Sequence, residues 1–119
     1  MEIRRLDRDR LGPDNNHSQR LMPWNAVNAP FEGAWCVIKP GASSERHAHH
    51  EYEIFIAVNG TAVLESNGER RSFSAGDIVH FPPFTEHQVI NETDTDFEMY
   101  TVWWDEAMTE SFAARHREG

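Results

Sequence analysis

The stretch Gly41-Ala-Ser-Ser-Glu-Arg-His47-Ala-His49-His50-Glu51-Tyr52-Glu53 decides the fold of this 119-residue chain. His47 and His49 are two residues apart, and Glu53 has the same parity, so an extended chain directs all three side chains to one face. A helix would place positions i and i+2 on different sides. The stretch therefore predicts strands, or a tight bend between two strands, that bring these side chains to one point.

Short runs rich in β-branched and aromatic residues surround this stretch, as is typical of strands. The runs cover 34–39, 53–58, 61–65, 78–81, 87–90 and 97–104. Turn signals end several of them, among them Asn59-Gly60, Asn67-Gly68 and Pro82-Pro83. Strands that recur about every eight to twelve residues, with turn residues between them, predict an all-β sandwich or barrel.

The chain resembles the cupin family in two ordered motifs. The first consists of Gly41, His47, His49, Glu53 and Gly60, and the second of Gly76, Pro82, His87 and Asn91. Phe84 stands where the second motif normally has glycine, which leaves nine of ten defined positions matched. The resemblance covers about positions 41 to 91 and implies a jelly-roll barrel. We expect the phenylalanine to alter the turn before His87.

Four residues have the identity and spacing of a single metal site: His47, His49, Glu53 and His87. Three imidazoles and one carboxylate suit a divalent transition metal better than they suit a hydrophobic core. A divalent ion in this set would keep a net charge near +1 and remain a Lewis acid. Zinc, iron, manganese, nickel and copper all fit these ligands, and their order of affinity does not choose among them.

Further residues near the motifs are candidates for chemistry. Glu53 could act as a general base if it detaches from the metal, and Glu51 and Tyr52 are candidate catalytic groups beside it. Trp103, Tyr100 and Phe84 are candidates for substrate contacts, because one tryptophan of the Trp103-Trp104 pair should face the pocket and Phe84 could lie at its rim. His50 has the opposite parity to the ligands and is expected to point away.

Composition limits the partners of the chain. Eleven Lys and Arg residues against twenty Asp and Glu residues give a net charge of −9, which disfavours nucleic acid. No apolar run approaches the length of a membrane span, and the first residues lack the apolar core of a signal peptide. The one cysteine, Cys36, excludes an internal disulfide framework. We therefore expect a cytoplasmic protein with a small-molecule substrate and no membrane partner.

The length of the chain predicts one domain. We interpret residues 1–20 as an N-terminal arm, 21–104 as the barrel and 105–119 as a short C-terminal helix, with Asp105 as a plausible N-cap. Residues 22–27 could form an edge strand. Small cupins usually pair, so we expect a homodimer formed partly by the N-terminal segment.

Two classes of function fit these residues: a metal-dependent enzyme and a ligand-binding sensor. Residues 47–56 and 102–105 are similar to the cupin half of hydrazine synthetases. This resemblance implies zinc-dependent formation of a nitrogen–nitrogen bond from an activated ester of an N-hydroxylated amine. The ester would come from a separate ATP-dependent synthetase-like protein. A dioxygenase that uses iron, manganese, copper or nickel is the alternative enzyme, and the ligand set does not separate the two.

Overall fold

The computed structural model describes residues 1, 3–22 and 30–116, and these residues form a β-rich fold. Two 3-10 turns, Arg8–Arg10 and Pro13–Asn15, precede the first strand. The strands are β1 Ser18–Met22, β2 Glu32–Ile38, β3 Tyr52–Asn59, β4 Thr61–Ser66, β5 Glu69–Ser74, β6 Ile78–Phe81, β7 Gln88–Ile90 and β8 Phe97–Trp104. One helix, α1 Glu106–His116, follows them. The predicted all-β barrel with a C-terminal helix is confirmed.

The strands form two antiparallel sheets. The larger sheet has the order β1-β2-β8-β3-β6, and the smaller has the order β5-β4-β7. In the larger sheet, β8 lies between β2 and β3, so that Trp103 is the direct neighbour of Glu32 on one side and of Glu53 on the other. This register places residues far apart in sequence on one row across the sheet.

Apolar side chains of both sheets form one core. Its members are Cys36, Ile38, Phe55, Ala57, Ala62, Leu64, Phe73, Phe81, Val89, Phe97 and Met99. The β3–β4 hairpin turns at Gly60, whose φ is +87°. A Cβ atom at Gly60 would lie 2.6 Å from the backbone oxygen of Asp96, so the turn requires glycine for both space and conformation.

The N-terminal segment contributes to the barrel. Strand β1 begins at Ser18, inside the segment 1–20 that the sequence analysis assigned to an arm, and it pairs with β2. Arg8 forms ion pairs with Asp96 and Glu98, which fasten the segment before β1 to the start of β8. The edge strand expected over 22–27 falls mainly outside the described residues, and the domain limits stay predictions.

Helix α1 begins directly after β8. The backbone N–H of Met108 donates to Oδ1 of Asp105 at 2.8 Å, which is the N-cap contact expected for Asp105. This bond and a contact from His50 lower the pKa of the Asp105 carboxyl. In the described part of the chain, no helix has the length and apolar character needed to cross a membrane.

Candidate metal centre

The four predicted metal ligands come together inside the barrel. One donor atom from each of His47, His49, Glu53 and His87 lies within 4.8 Å of the other three. Glu53 Oε1 lies 3.0 Å from His49 Nε2 and 3.1 Å from His87 Nε2. The centroids of the three imidazole rings are 4.7 to 5.3 Å apart. The geometry is that of one compact donor set.

Backbone pairing holds the cluster together. The N–H of His87 donates to the backbone oxygen of His47 at 3.1 Å, and the N–H of His47 donates back at 3.3 Å. This isolated bridge joins the segment before β3 to the segment before β7. Glu53 comes from the second position of β3 and is buried. Backbone pairing therefore positions His47 and His87, and strand β3 positions Glu53.

Hydrogen bonds at Nδ1, the ring nitrogen that points away from the cluster, determine the tautomers of His47 and His87. Nδ1 of His47 lies 3.1 Å from the backbone oxygen of Glu45, and Nδ1 of His87 lies 2.9 Å from that of Thr85. A carbonyl oxygen only accepts hydrogen bonds, so both Nδ1 atoms carry the proton and donate. In a neutral ring this leaves Nε2 with its lone pair toward the cluster, as a metal ligand requires.

The electrostatics of the cluster favour the neutral form of His47. Burial, followed by the neighbouring His87 and His49, lowers the pKa of His47. Lone pairs of several imidazoles and a carboxylate that face one point repel one another unless a cation lies between them. Neutral histidine and an ionised carboxylate are also the forms that coordinate metal. The residues present therefore fit a divalent transition metal.

His49 differs from the other two histidines in its outer contact. Its Nδ1 is buried and has no hydrogen-bond partner. Glu51 Oε1 lies 3.6 Å away, beyond hydrogen-bond distance. A shift of about 0.6 Å would bring this oxygen to ordinary hydrogen-bond distance, at which Glu51 would hold the ring as carboxylates do behind metal-ligating histidines.

A cavity of about 410 Å³ opens at the cluster. Its lining comes from the N-terminal segment, the larger sheet and the loop that carries the ligands. The lining residues are Asn15, Asn16, Ser18, Arg20, Ala34, Cys36, Ser44, His47, His49, Glu51, Glu53, Phe55, Met99, Thr101 and Trp103. Polar groups and aromatic or apolar side chains both reach the cavity, which suits a small organic molecule.

Two of the further predicted site residues line this cavity. Glu51 lies beside His49, and Trp103 is the member of the tryptophan pair that faces inward. The indole N–H of Trp103 donates to Glu32 Oε2 at 3.0 Å, which fixes the ring. His50 points away from the cluster, as its parity predicted, and its Nε2 lies 3.0 Å from Asp105 Oδ2.

Tyr52 and Tyr100 lie on the opposite face of the larger sheet. The ring of Tyr52 is nearly parallel to those of His80 and Trp104, with centroids 5.6 to 6.2 Å apart. Tyr100 packs edge-to-face against Trp35 at 5.6 Å. Adjacent strand residues point to opposite faces, so the neighbours of inward Glu53 and Thr101 point outward. The roles predicted for both tyrosines stay predictions, and these positions do not favour them.

Phe84 does not line the cavity, and 74% of it is exposed. Its φ is 62°, the left-handed conformation that glycine adopts easily. The N–H of Phe84 donates to the backbone oxygen of His49 at 2.7 Å. The turn thus places phenylalanine in a glycine-like conformation and ties it to a ligand-bearing segment. The predicted substrate contact of Phe84 has no support from its position.

Several cavity residues were not predicted from the sequence. Arg20 and Ser18 lie in the segment interpreted as an arm, and they reach the cavity because β1 pairs with β2. Thr101 and Met99 share the parity of Trp103 along β8, and that alternation was the available signal. Cys36 is buried, and burial raises the pKa of its thiol to about 11.

Comparison with known proteins agrees with the fold and the motifs. The profile of the cupin domain matches residues 34–103. The chain belongs to the cupin family. A cupin 2 conserved barrel domain protein from Salinispora arenicola has 62% sequence identity, with a TM-score of 0.88 and 98% of each chain covered. The plu4264 protein from Photorhabdus luminescens has 41% identity, with a TM-score of 0.85 and 95% of each chain covered.

A more distant structure shares the fold alone. A cupin-like protein from Thermotoga maritima has 22% identity and a TM-score of 0.67, with 76% of this chain and 69% of that chain covered. The barrel is therefore retained at low sequence identity. Membership in the cupin family fixes the architecture and leaves the reaction to the residues of the site, because one fold serves many functions.

Proposed function

We propose that this cupin is a metal-dependent enzyme that acts on a small molecule. The convergence of four donors, from His47, His49, Glu53 and His87, carries this proposal, and the first three of them line the cavity. A site that only needed to fill space would not direct three imidazole nitrogens and a carboxylate to one point. The cavity volume suits a metabolite and is too small for a macromolecule.

Residues of the chain would set the charge of such a site and hold its ligands in place. A divalent ion bound there would supply Lewis acidity. Glu53 contributes one negative charge, so the occupied site would keep a net positive charge that attracts anionic or polar groups. Phe81 stacks on the His87 ring at 4.4 Å, and Phe55 packs on its edge at 5.4 Å. These rings exclude water from the inner side and hold His87 in place.

The most specific reaction we propose is formation of a nitrogen–nitrogen bond with zinc in the site. Support comes from the local resemblance of residues 47–56 and 102–105 to the cupin half of hydrazine synthetases. The substrate would be an ester between an amino acid and the hydroxylamine oxygen of an N-hydroxylated amine, delivered by a separate ATP-dependent synthetase-like protein. The amino group of the amino acid would attack the hydroxylamine nitrogen, so that the N–N bond forms, the N–O bond breaks, and the amino-acid carboxylate and one proton are released. Trp103 lies in the cavity and offers an apolar surface for such a substrate.

An oxygen-dependent reaction is the alternative enzyme function. Three histidines and a carboxylate also suit iron, manganese, nickel or copper, so the same donors would serve a dioxygenase. A third proposal is a sensor that holds a ligand at the same site without turnover, since cupins include both enzymes and regulators. Metal identity separates the first two, and turnover separates both from the third.

Metal analysis of protein purified without a metal-binding tag tests the proposal. We expect near-stoichiometric metal in the wild type and its loss in His87→Ala. Because His87 is buried and stacked on Phe81, circular dichroism must show that the variant folds. His47→Ala serves as a second variant at a more exposed ligand. Absence of metal from the wild type, even after incubation with each ion, contradicts the proposal.

The metal that is found directs the next assay. Zinc favours the nitrogen–nitrogen reaction and leads to tests with esters of N-hydroxylated amines. Iron, manganese, nickel or copper favours the dioxygenase and leads to measurements of oxygen uptake. Bound metal without turnover of any of these substrates favours the sensor.

We also propose that the chain forms a homodimer in the cytoplasm. Support for pairing comes from the exposed apolar side chains of Ile56, Val58 and Ile78 on strands β3 and β6. Strand β6 is an edge of the larger sheet, and exposed edges favour pairing with another chain. Sedimentation equilibrium at micromolar concentration tests this, and a monomer mass contradicts it.

A further inference from the structure

Arg20 lies over the inward-facing tryptophan of the cavity. Its Cζ is 5.0 Å from the centroid of the Trp103 ring, within the range of a cation–π contact. Nη1 of Arg20 is 3.7 Å from Glu32 Oε2, the same oxygen that accepts the indole hydrogen bond of Trp103. Glu32 thus fixes the indole ring, and the ring supports the guanidinium.

The sheet register places this group across the cavity from the metal ligands. Trp103 on β8 pairs with Glu53 on β3 at one side and with Glu32 on β2 at the other. The next strand after β2 is β1, which carries Arg20. Three strand spacings separate the backbones of β3 and β1 by roughly 14 Å. Both Glu53 and Arg20 line the cavity, and Arg20 reaches back from β1 as far as the Trp103 ring on β8, so a short molecule could span from the cluster to Arg20.

Charge distinguishes Arg20 from the rest of the lining. Among the described residues that line the cavity, it is the single arginine or lysine, and the carboxylates there are Glu51 and Glu53. Its ion pair with Glu32 is longer than a hydrogen bond, and 67% of its side chain is exposed. A guanidinium stacked on an aromatic ring presents its N–H edge, which matches the two oxygens of a carboxylate or phosphate.

We infer that Arg20, supported by Trp103 and Glu32, is an oxyanion-binding subsite. The substrate is then a small molecule that carries a carboxylate or a phosphate at the end opposite the metal cluster. This inference rests on the proposed metal-dependent function, because the cluster anchors the other end of the ligand. It adds a substrate class and names a residue for specificity that the motifs do not contain.

Binding of matched acids to metal-loaded protein tests the inference. Cobalt(II) is used as the metal, since its visible spectrum reports ligands that reach the site. The probes are malonate, succinate and glutarate, each paired with its monomethyl ester, and, for the phosphate class, 3-phosphonopropionate paired with its dimethyl phosphonate ester. In wild-type protein we expect at least one diacid, or the phosphonate, to bind about 10- to 100-fold more tightly than the matching ester, the range of a charge-assisted hydrogen bond.

Two variants locate the effect. Arg20→Met should abolish the preference for the second anionic group while metal binding remains intact. Arg71→Met is the matched control, since it removes the same charge from an exposed side chain on β5, and it should keep the preference. A carboxylate ligand is indicated if the diacids show the preference, and a phosphate ligand if only 3-phosphonopropionate shows it.

The outcomes separate this inference from the proposed function. If cobalt binds but no anionic probe exceeds its ester, or if Arg20→Met keeps the preference, the subsite is refuted and the metal site stands. If cobalt does not bind to the wild type, the proposed function fails and the subsite fails with it. Equal losses in Arg20→Met and Arg71→Met would also refute the subsite, because general charge would then explain the effect.

Discussion

Replacing His47 with alanine should remove most of the stabilisation that metal gives to the fold. His47 is the ligand of choice because it is only partly buried, whereas His87 is 2% exposed and stacked on Phe81. His50 offers a matched control three residues away. Its side chain is 62% exposed and contacts Asp105 outside the cluster. Comparing His47→Ala with His50→Ala therefore isolates ligation from the loss of an imidazole.

The magnitude follows from ligand linkage. Free metal at 100 times its dissociation constant stabilises the native state by about 2.7 kcal/mol. Unfolding 119 residues at roughly 2.1 cal/mol/K per residue gives an entropy of about 250 cal/mol/K. The wild type and His50→Ala should therefore gain about 11 °C in Tm. If His47→Ala binds about 100-fold more weakly, the same metal concentration adds about 0.4 kcal/mol and about 2 °C.

The affinity loss assumed for His47→Ala is conservative. Loss of a group behind a ligand already costs about 10- to 100-fold in metal affinity, and His47 is predicted to be a ligand itself. Differential scanning calorimetry, with zinc, iron(II), manganese, nickel, copper and cobalt tested separately, gives the shifts. The reasoning is refuted if no ion raises the Tm of the wild type, or if His47→Ala gains as much as His50→Ala does.

Three further predictions concern single side chains. Glu51→Ala should lower metal affinity about 10-fold, because His49 then lacks a nearby acceptor for Nδ1–H; competition with a chelator measures this, and unchanged affinity contradicts it. Phe84→Gly should relieve a left-handed φ and change stability by zero to about +1 kcal/mol in urea unfolding, whereas Phe84→Ala should bring no such gain; a loss above about 1 kcal/mol contradicts the expectation. Cys36 is buried with its thiol pKa raised to about 11, so iodoacetamide at pH 8 should label it only in denaturant, and fast labelling of native protein would show the thiol to be accessible.

The fold and the ligand cluster followed from the sequence because their signals are local. His47 and His49 are two residues apart and Glu53 has the same parity, so an extended chain directs their side chains to one side. Glycines at tight turns, such as Gly60, mark positions where a side chain would meet the backbone. Strand β5, Glu69–Ser74, has no such local signal, because only Phe73 in it is apolar and buried. Its extended conformation comes from pairing with β4.

Closeness in sequence to a metal ligand is a weak guide to position in the site. Tyr52 is adjacent to Glu53, yet neighbouring strand residues face opposite sides of a sheet, so adjacency argued against a shared site. Phe84 occupies a motif position that specifies a backbone conformation, and its φ of 62° meets that requirement. Its side chain is 74% exposed, so the position satisfies the backbone requirement without bringing the ring to the cavity.

The position of Arg20 in the cavity could not be predicted from the sequence for a different physical reason. Nothing in residues 1–20 alternates clearly, and the strand that carries Arg20 is defined by its register against β2. That pairing joins Ser18 to Cys36 and brings Arg20 to the ring of Trp103, more than eighty positions later in the chain. Local patterns therefore predict the candidate metal ligands, while long-range pairing brings Arg20 to the other end of the cavity, where we propose that it binds an oxyanion. Specificity in such a barrel is expected to vary through β1 without any change in the two motifs.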